Sequence, residues 1–190
     1  MTRRRLLEAA ASLVAERGWG AVKTRAVAER AGVNQALVHY HYTTMDSLLR
    51  EAVLWRLRPA IQALADELLD DRPFPEGVRR TMHLLDRFEP GSEDGVLMAE
   101  ALLRASRDER MAAAIGDVAG SWTAMLEPRI VTAQRRGVVR ADLEPAALAY
   151  LLAAMLDGFL IQRMAAPAVD TQVVAGTITR LLTPPEEDVA

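Results

Sequence analysis

The chain has 190 residues, 51% of them hydrophobic and 5% aromatic, with a net charge of −3 and no cysteine. That length and apolar content suffice for a sizeable core in one domain or two small ones, and they exclude a disordered tail. Without cysteine there can be no disulfide, thiol catalysis or thiolate metal site, in keeping with a reducing compartment.

The opening residues Met1, Thr2, Arg3, Arg4 and Arg5 lack the apolar core and small-residue cleavage site of a secretion signal, so export is not expected and the cytoplasm is the expected location. Leu6, Leu7, Ala10, Leu13 and Val14 recur at steps of three and four and predict an amphipathic helix over 3–17, stopped by Gly18. Arg3, Arg4 and Arg5 either reach a phosphate or a minor groove, or form a solvated helix start. Trp19, between two glycines, is expected to pack beneath this domain.

Thr24 is expected to cap a short helix with the small face Val27, Ala28 and Ala31, which stops at Gly32, the residue that tolerates a left-handed turn. Asn34 then caps a second short helix, with Leu37 or Val38 inward and Gln35, Ala36, His39 and Tyr40 outward. Two short helices across a tight turn are the sequence form of a helix-turn-helix: Ala28 allows close crossing, Gly32 turns the chain, and Val33 and Val38 fill the angle. An ordinary helical hairpin carries the same spacing, so the alternative is a helical protein-interaction module that never touches DNA. Charge argues against that alternative. Residues 1–50 carry +4 and the remainder −7, a split that draws a polyanion to one end of the molecule.

After Thr44, another natural cap, Leu48, Leu49, Ala52, Val53, Leu57, Ile61, Leu64, Ala65 and Leu68 predict one long helix to about residue 71. Pro59 lies inside it and is expected to kink the helix rather than divide it. A loop over 72–75 leads to a helix over 76–89 with Val78, Met82, Leu85 and Phe88 in its stripe. Further helices are predicted over 93–106 and 108–136, the latter interrupted by Pro128, stopped at Gly137, and carrying Gly116 and Gly120 as a close-packing pair that would equally leave space for a ligand. Residues 146–161 form an almost wholly apolar helix and 171–182 a last amphipathic one, before an acidic, frayed tail from Pro184. The apolar run falls short of the roughly 20 residues that span a bilayer, so no membrane partner is expected. A helix with no polar face buries one side in its own domain and the other against a partner, which points to a homodimer.

No nucleophile elbow, phosphate-binding glycine loop, dinucleotide fingerprint or zinc-ligand spacing is present, and His39 and His41 project to different sides of a helix while His83 stands alone. No catalytic residue, metal or cofactor is therefore expected. Trp55, Met82, Leu85, Phe88, Met98, Leu102, Trp122, Met125, Met155 and Phe159 suit an adaptable ligand pocket, although their spacings equally suit a core. His83, Glu100, Arg104, Asp157 and Gln162 are candidate polar handles for the same ligand.

Continued through Thr43, Thr44, Met45, Asp46, Ser47, Leu48 and Leu49, the stretch from Thr24 resembles the DNA-binding domain of the TetR (tetracycline-repressor-like) family of transcriptional regulators. By motif the resemblance covers about residues 3–50; the remainder resembles the family in length and helical character. Family members end the recognition helix with a Tyr-x-His-Phe run and open the next with lysine. Here the run reads His39-Tyr40-His41-Tyr42, and Met45 holds the lysine place, a departure at one phosphate contact. The resemblance implies an all-α protein of about nine helices, with a three-helix DNA-binding domain over 1–46 and a ligand-binding and dimerisation domain over 47–190. It further implies a repressor that binds a palindromic double-stranded DNA operator as a homodimer and is released by a small, largely apolar effector, although activation is open. In that reading Thr24 and Asn34 bring helix starts to the DNA, and Arg25 meets a guanine edge or a phosphate, unless it is a solvated surface arginine. Gln35 and Ala36 face bases, His39 and Tyr40 touch bases or phosphates, His41 and Thr44 touch phosphates, and Tyr42 belongs to the core.

Overall fold

The computed structural model describes residues 1–69, 73–165 and 170–184. Among them the chain forms nine α-helices and no strand: α1 (Thr2–Arg17), α2 (Thr24–Ala31), α3 (Gln35–His41), α4 (Met45–Leu69), α5 (Phe74–Leu84), α6 (Glu93–Ala105), α7 (Glu109–Arg135), α8 (Pro145–Ala165) and α9 (Thr171–Leu182). Short 3-10 helices lie at Trp19–Ala21 and Leu85–Phe88. The acidic tail lies outside the described residues beyond Pro184. Two compact units emerge, one of residues 1–62 with 87–115, the other of 63–86 with 116–190.

In the first unit α1 buries Leu6, Leu7, Ala9, Ala10, Ala11, Leu13 and Val14. This face is too wide for one neighbour, and α2 and α6 both pack on α1, close approach being allowed by the three alanines. Gly18, at φ 76, ends α1 with its N–H on the Val14 carbonyl. Beneath these helices Leu48, Leu49, Ala52, Val53 and Leu57 of α4 join Phe88, Leu97, Met98, Ala101 and Met111 in the unit's core.

In α6 the Ser92 hydroxyl accepts the Gly95 N–H at 3.0 Å while facing the carbonyls of Arg87 and Glu89. A Cβ on Gly95 would stand 2.7 Å from the Glu89 carbonyl oxygen. The buried Asp94 beside it meets Arg56 of α4 at 3.1 Å and Arg87 at 3.1 Å, so the start of α6 is bolted to α4.

In the second unit α5 packs on α9, and Val78 and Met82 are buried with Ile178 and Leu182. The Arg140 N–H caps α9 on the Leu182 carbonyl at 2.8 Å, and Gln134 Nε2 donates to the carbonyls of Arg140 and Leu143. α8 buries Leu148, Ala149, Leu152, Leu156 and Leu160, spaced by whole turns, and exposes Tyr150, Leu151 and Ile161. The stretch Pro145–Gln162 within it is long and apolar enough to cross a membrane, with a mean hydropathy of 1.5, so length alone does not exclude a span as expected above. Its buried stripe makes it a helix of this bundle.

Several local expectations need correction. Thr24 is not the α2 cap; Lys23 holds that position without a side-chain bond, and Thr24 is the first helical residue. The helix expected over 76–89 is α5 followed by the 3-10 turn Leu85–Phe88. α4, in contrast, runs through Pro59 undivided, as expected, and ends at Leu69. Gly116 and Gly120 are not a close-packing pair, because a Cβ on either would meet nothing within 4 Å.

These glycines generate opposite expectations. Gly95→Ala should cost roughly 1–2 kcal/mol despite alanine's better helix propensity, because the added methyl overpacks the capping turn. Gly116→Ala should instead gain about 0.5–1 kcal/mol in open space. Thermal unfolding of both variants checks this; a stabilised Gly95→Ala protein would show that the turn yields without cost.

Candidate nucleic-acid interface

The turn between α2 and α3 is built from backbone. Gly32 is left-handed at φ 61; its N–H reaches the Glu29 carbonyl at 3.1 Å and the Val33 N–H the Ala28 carbonyl at 2.9 Å, satisfying the last carbonyls of α2. Asn34 Oδ1 accepts the Ala36 N–H at 2.9 Å and starts α3. Of the two expected inward residues of α3, Val38 is buried at 2% exposure and Leu37 is 40% exposed. Gln35, Ala36, His39, Tyr40 and His41 are all exposed, Tyr40 at 81%, with the His41 ring edge-on to it at 5.2 Å.

The chain then turns inward at Tyr42, as expected. Burial pushes its phenol up from the ordinary value; the hydroxyl donates to Glu51 at 3.0 Å, and Glu51 pairs with Arg3 at 2.8 Å. Three elements are thereby pinned: the starts of α1 and α4 and the end of α3. Thr44 Oγ1 accepts the Ser47 N–H at 3.1 Å and caps α4, leaving Thr44 exposed and Met45 half-buried. Thr24 is half-buried, and Arg25 and Asn34 are exposed. All nine candidate DNA residues thus lie at the surface of one unit, on α2, α3 and the start of α4.

The positive charge of this face is largely engaged. Arg25 donates to Glu29 at 2.7 Å, one turn along α2. Arg30 grips Glu16 with both terminal nitrogens at 2.7 Å and holds its carboxyl below the usual range, while Arg5 reaches the Gly32 carbonyl at 3.3 Å. Arg3, Arg4 and Arg5 belong to α1 itself and form no free arm.

Behind the interface lies an ionic cluster that the sequence did not disclose. Asp46, in the first turn of α4, accepts from Trp19 Nε1 and Arg50 and pairs with Arg104 from the last turn of α6. Arg104 also stacks on the Trp19 ring, 5.4 Å from its centroid. Asp108 caps α7 by accepting from the Arg110 and Met111 N–H groups and meets Arg50 at 3.2 Å and Arg104 at 3.5 Å. Burial alone would raise the Asp108 carboxyl, but the two N–H groups and two guanidiniums outweigh it and hold the carboxyl below its ordinary value. Arg104 therefore belongs to this cluster rather than offering a handle to a ligand, and Trp19 is a half-buried hydrogen-bond donor rather than mere packing.

The candidate ligand residues belong to both units. Trp55, Phe88, Met98 and Leu102 belong to the first unit, and Met82, Leu85, Trp122, Met125, Met155 and Phe159 to the second. Met82 and Met155 line a common void with Val78, Thr81, Leu152, Leu156 and Ile178. At about 20 Å³ it has room for about one water molecule. Of the other handles, His83 is exposed beside Asp86, Glu100 lies against Gly18, and Asp157 and Gln162 are exposed on α8. No group of residues suited to a metal ion exists among the described residues.

A short capped helix presented through this turn has the form of a helix-turn-helix. Residues 6–52 match the bacterial regulatory proteins of the tetR family, and residues 78–183 match the C-terminal part of BetI-type transcriptional repressors. The chain belongs to the TetR family of transcriptional regulators. Among solved structures it is similar to a transcriptional regulator of Streptomyces coelicolor A3(2), 27% identical, with a TM-score of 0.74 over 97% of this chain and all of the other. A regulator of Saccharomonospora viridis, solved in complex with choline, is 25% identical with a TM-score of 0.74 over 94% and 93% of the two chains. A TetR-family regulator of Rhodococcus sp., at 21% identity and a TM-score of 0.75 over 95% and 98%, shares the fold. No curated protein sequence matches the chain.

The Asp108 cluster generates a pH dependence. A depressed carboxyl stabilises the fold above its unfolded value and loses that contribution as pH falls through the folded one. Asp108→Asn should therefore be less stable than the native chain near neutrality, and the difference should narrow as pH drops below about 4. Urea unfolding at several pH values measures it; a pH-independent difference would mean the carboxylate charge is idle.

Proposed function

We propose that this chain is a ligand-responsive repressor that binds a palindromic operator as a homodimer and leaves it when a small, largely apolar effector binds. One observation carries the reading: α3 spends a single residue, Val38, on the core and leaves Gln35, Ala36, His39 and Tyr40 free for a major groove. Gln35 pairs with a base edge, Ala36 meets a thymine methyl, and His39 and Tyr40 reach bases or phosphates. Thr24, Asn34, His41 and Thr44 position the unit on the backbone, and Arg25 exchanges its Glu29 partner for a phosphate or a guanine. Residues 1–46 do the reading; residues 47–190 bind effector and dimerise.

The outward apolar side chains of α8 and α9, Tyr150, Leu151, Ile161, Val173 and Leu181, supply the dimer surface. A two-fold pair presents two α3 helices to half-sites about 34 Å apart, matching an operator with the same symmetry. Small-molecule control is supported by the relative solved with choline. The void beside Met82 and Met155 must widen to admit an effector, so binding favours a second arrangement of the bundle in which the two α3 helices no longer match successive grooves. Such a regulator acts in the cytoplasm, on free duplex.

Gln35→Ala and Tyr40→Ala should each cost roughly 1–3 kcal/mol of binding to a selected operator while leaving thermal unfolding nearly unchanged. Fluorescence polarisation with operator and random duplex, over a range of salt, measures this; unchanged operator affinity in both variants would overturn the assignment of α3. Met45→Lys should tighten binding to any duplex and steepen the salt dependence by about one unit, by supplying the phosphate contact of the family. An unaltered salt slope would mean that the start of α4 stays away from the backbone.

A further inference from the structure

On α8 the exposed positions Ala147, Tyr150, Leu151, Ala154, Asp157, Gly158 and Ile161 recur at three- and four-residue steps and form one outward stripe. Asp157 is its only charged member. On α9 the exposed Val173, Thr177, Arg180 and Leu181 form a matching stripe, with Arg180 its only charge. Inward, Leu152, Met155 and Leu156 of α8 and Ile178 of α9 line the same small void. Asp157 follows Leu156 directly and Arg180 is two residues past Ile178, so each charge lies within two residues of a side chain that lines this void.

Among the described residues neither side chain has an ionic partner in its own chain. Although Asp157 reaches solvent, its apolar surroundings withhold water from the carboxyl and push it above the ordinary range. A Cβ on Gly158 or Gly176, one on each helix, would meet nothing within 4 Å. An approaching chain therefore finds room beside each charge.

We infer that Asp157 of one protomer pairs with Arg180 of a second copy of this chain, and that this pair fixes the register of α8 and α9 against their counterparts. The inference rests on the homodimer reading above. An isologous interface repeats each contact about its two-fold axis, so one complementary pair in the sequence becomes two in the dimer. Leucines and small residues slide past one another at little cost, whereas a buried charge left opposite an apolar surface is heavily penalised. Asp157 and Arg180 therefore select one register among several apolar ones, as single polar positions do in coiled coils.

The test is charge reversal in the full chain, read by sedimentation equilibrium, with circular dichroism as the control for folding. Asp157→Arg and Arg180→Asp should each raise the dimer dissociation constant by about tenfold or more, since each places like charges opposite one another. The doubly reversed chain should dimerise as the native one does. An equimolar mixture of the two single variants should form heterodimers, because one protomer then offers two arginines and the other two aspartates. The milder Asp157→Asn and Arg180→Gln chains, expected to weaken the dimer, serve if a reversal fails to fold. A monomeric native chain would overturn the dimer reading itself. A native dimer with unaffected single variants would overturn the pair alone, and so would weakened variants that mixing does not restore. A dimer strengthened by Asp157→Asn would show that Asp157 faces its own copy, which also overturns the pair.

Discussion

The contact on which the DNA-facing unit depends is the carboxylate of Asp46. It stands one residue past the start of α4, just beyond the loop that follows α3, and gathers Trp19 Nε1, Arg50 and Arg104 onto two oxygens. α3 cannot hold its own position, because seven residues with one buried side chain bury little apolar surface. Its orientation is inherited from the elements at its two ends. Gly32 and Asn34 fix the first, Tyr42 and Thr44 the second, and Asp46 joins the second to the 3-10 turn at Trp19 and to the end of α6.

This arrangement explains why α6 is fastened at both ends. At its start Asp94 draws in Arg56 and Arg87, and at its end Arg104 is drawn to Asp46 and Asp108. Exposed ion pairs taken singly contribute little, but networks that share carboxylates and rest on an aromatic ring restrict direction as well as distance. These ion pairs tie α6 to α4, the helix that follows α3, within their unit. The same ionic economy governs the outer face, where Glu16, Glu29 and Glu51 hold Arg30, Arg25 and Arg3.

The second unit follows a different rule. Its helices are joined mainly by apolar side chains, and α8 divides its surface between a buried leucine stripe and an outward one of nearly equal hydrophobicity. The family match over residues 78–183 takes in this helix.

The sequence by itself determined the helical class, the turn at Gly32, the Asn34 and Thr44 caps, the burial of Tyr42 and the family, because each rests on chemistry local to a few residues. Glycine alone takes the left-handed turn without strain, side-chain oxygens cap the N–H groups beside them, and apolar spacing reports a helix whatever it packs on. The outward set of α3 was legible for the same reason, since a short helix with a valine on one side must show the rest. Only the tertiary structure decided which charges meet. The bonds of Asp46 to Trp19 and to Arg104 span 27 and 58 residues, and nothing periodic marks an aspartate as the partner of a distant arginine. It also decided that Gly95 is demanded by a neighbouring carbonyl while Gly116 is not, and that the candidate ligand residues are divided between two units. A side chain's type and spacing state what it can bury, whereas its neighbour is set by the path of the whole chain.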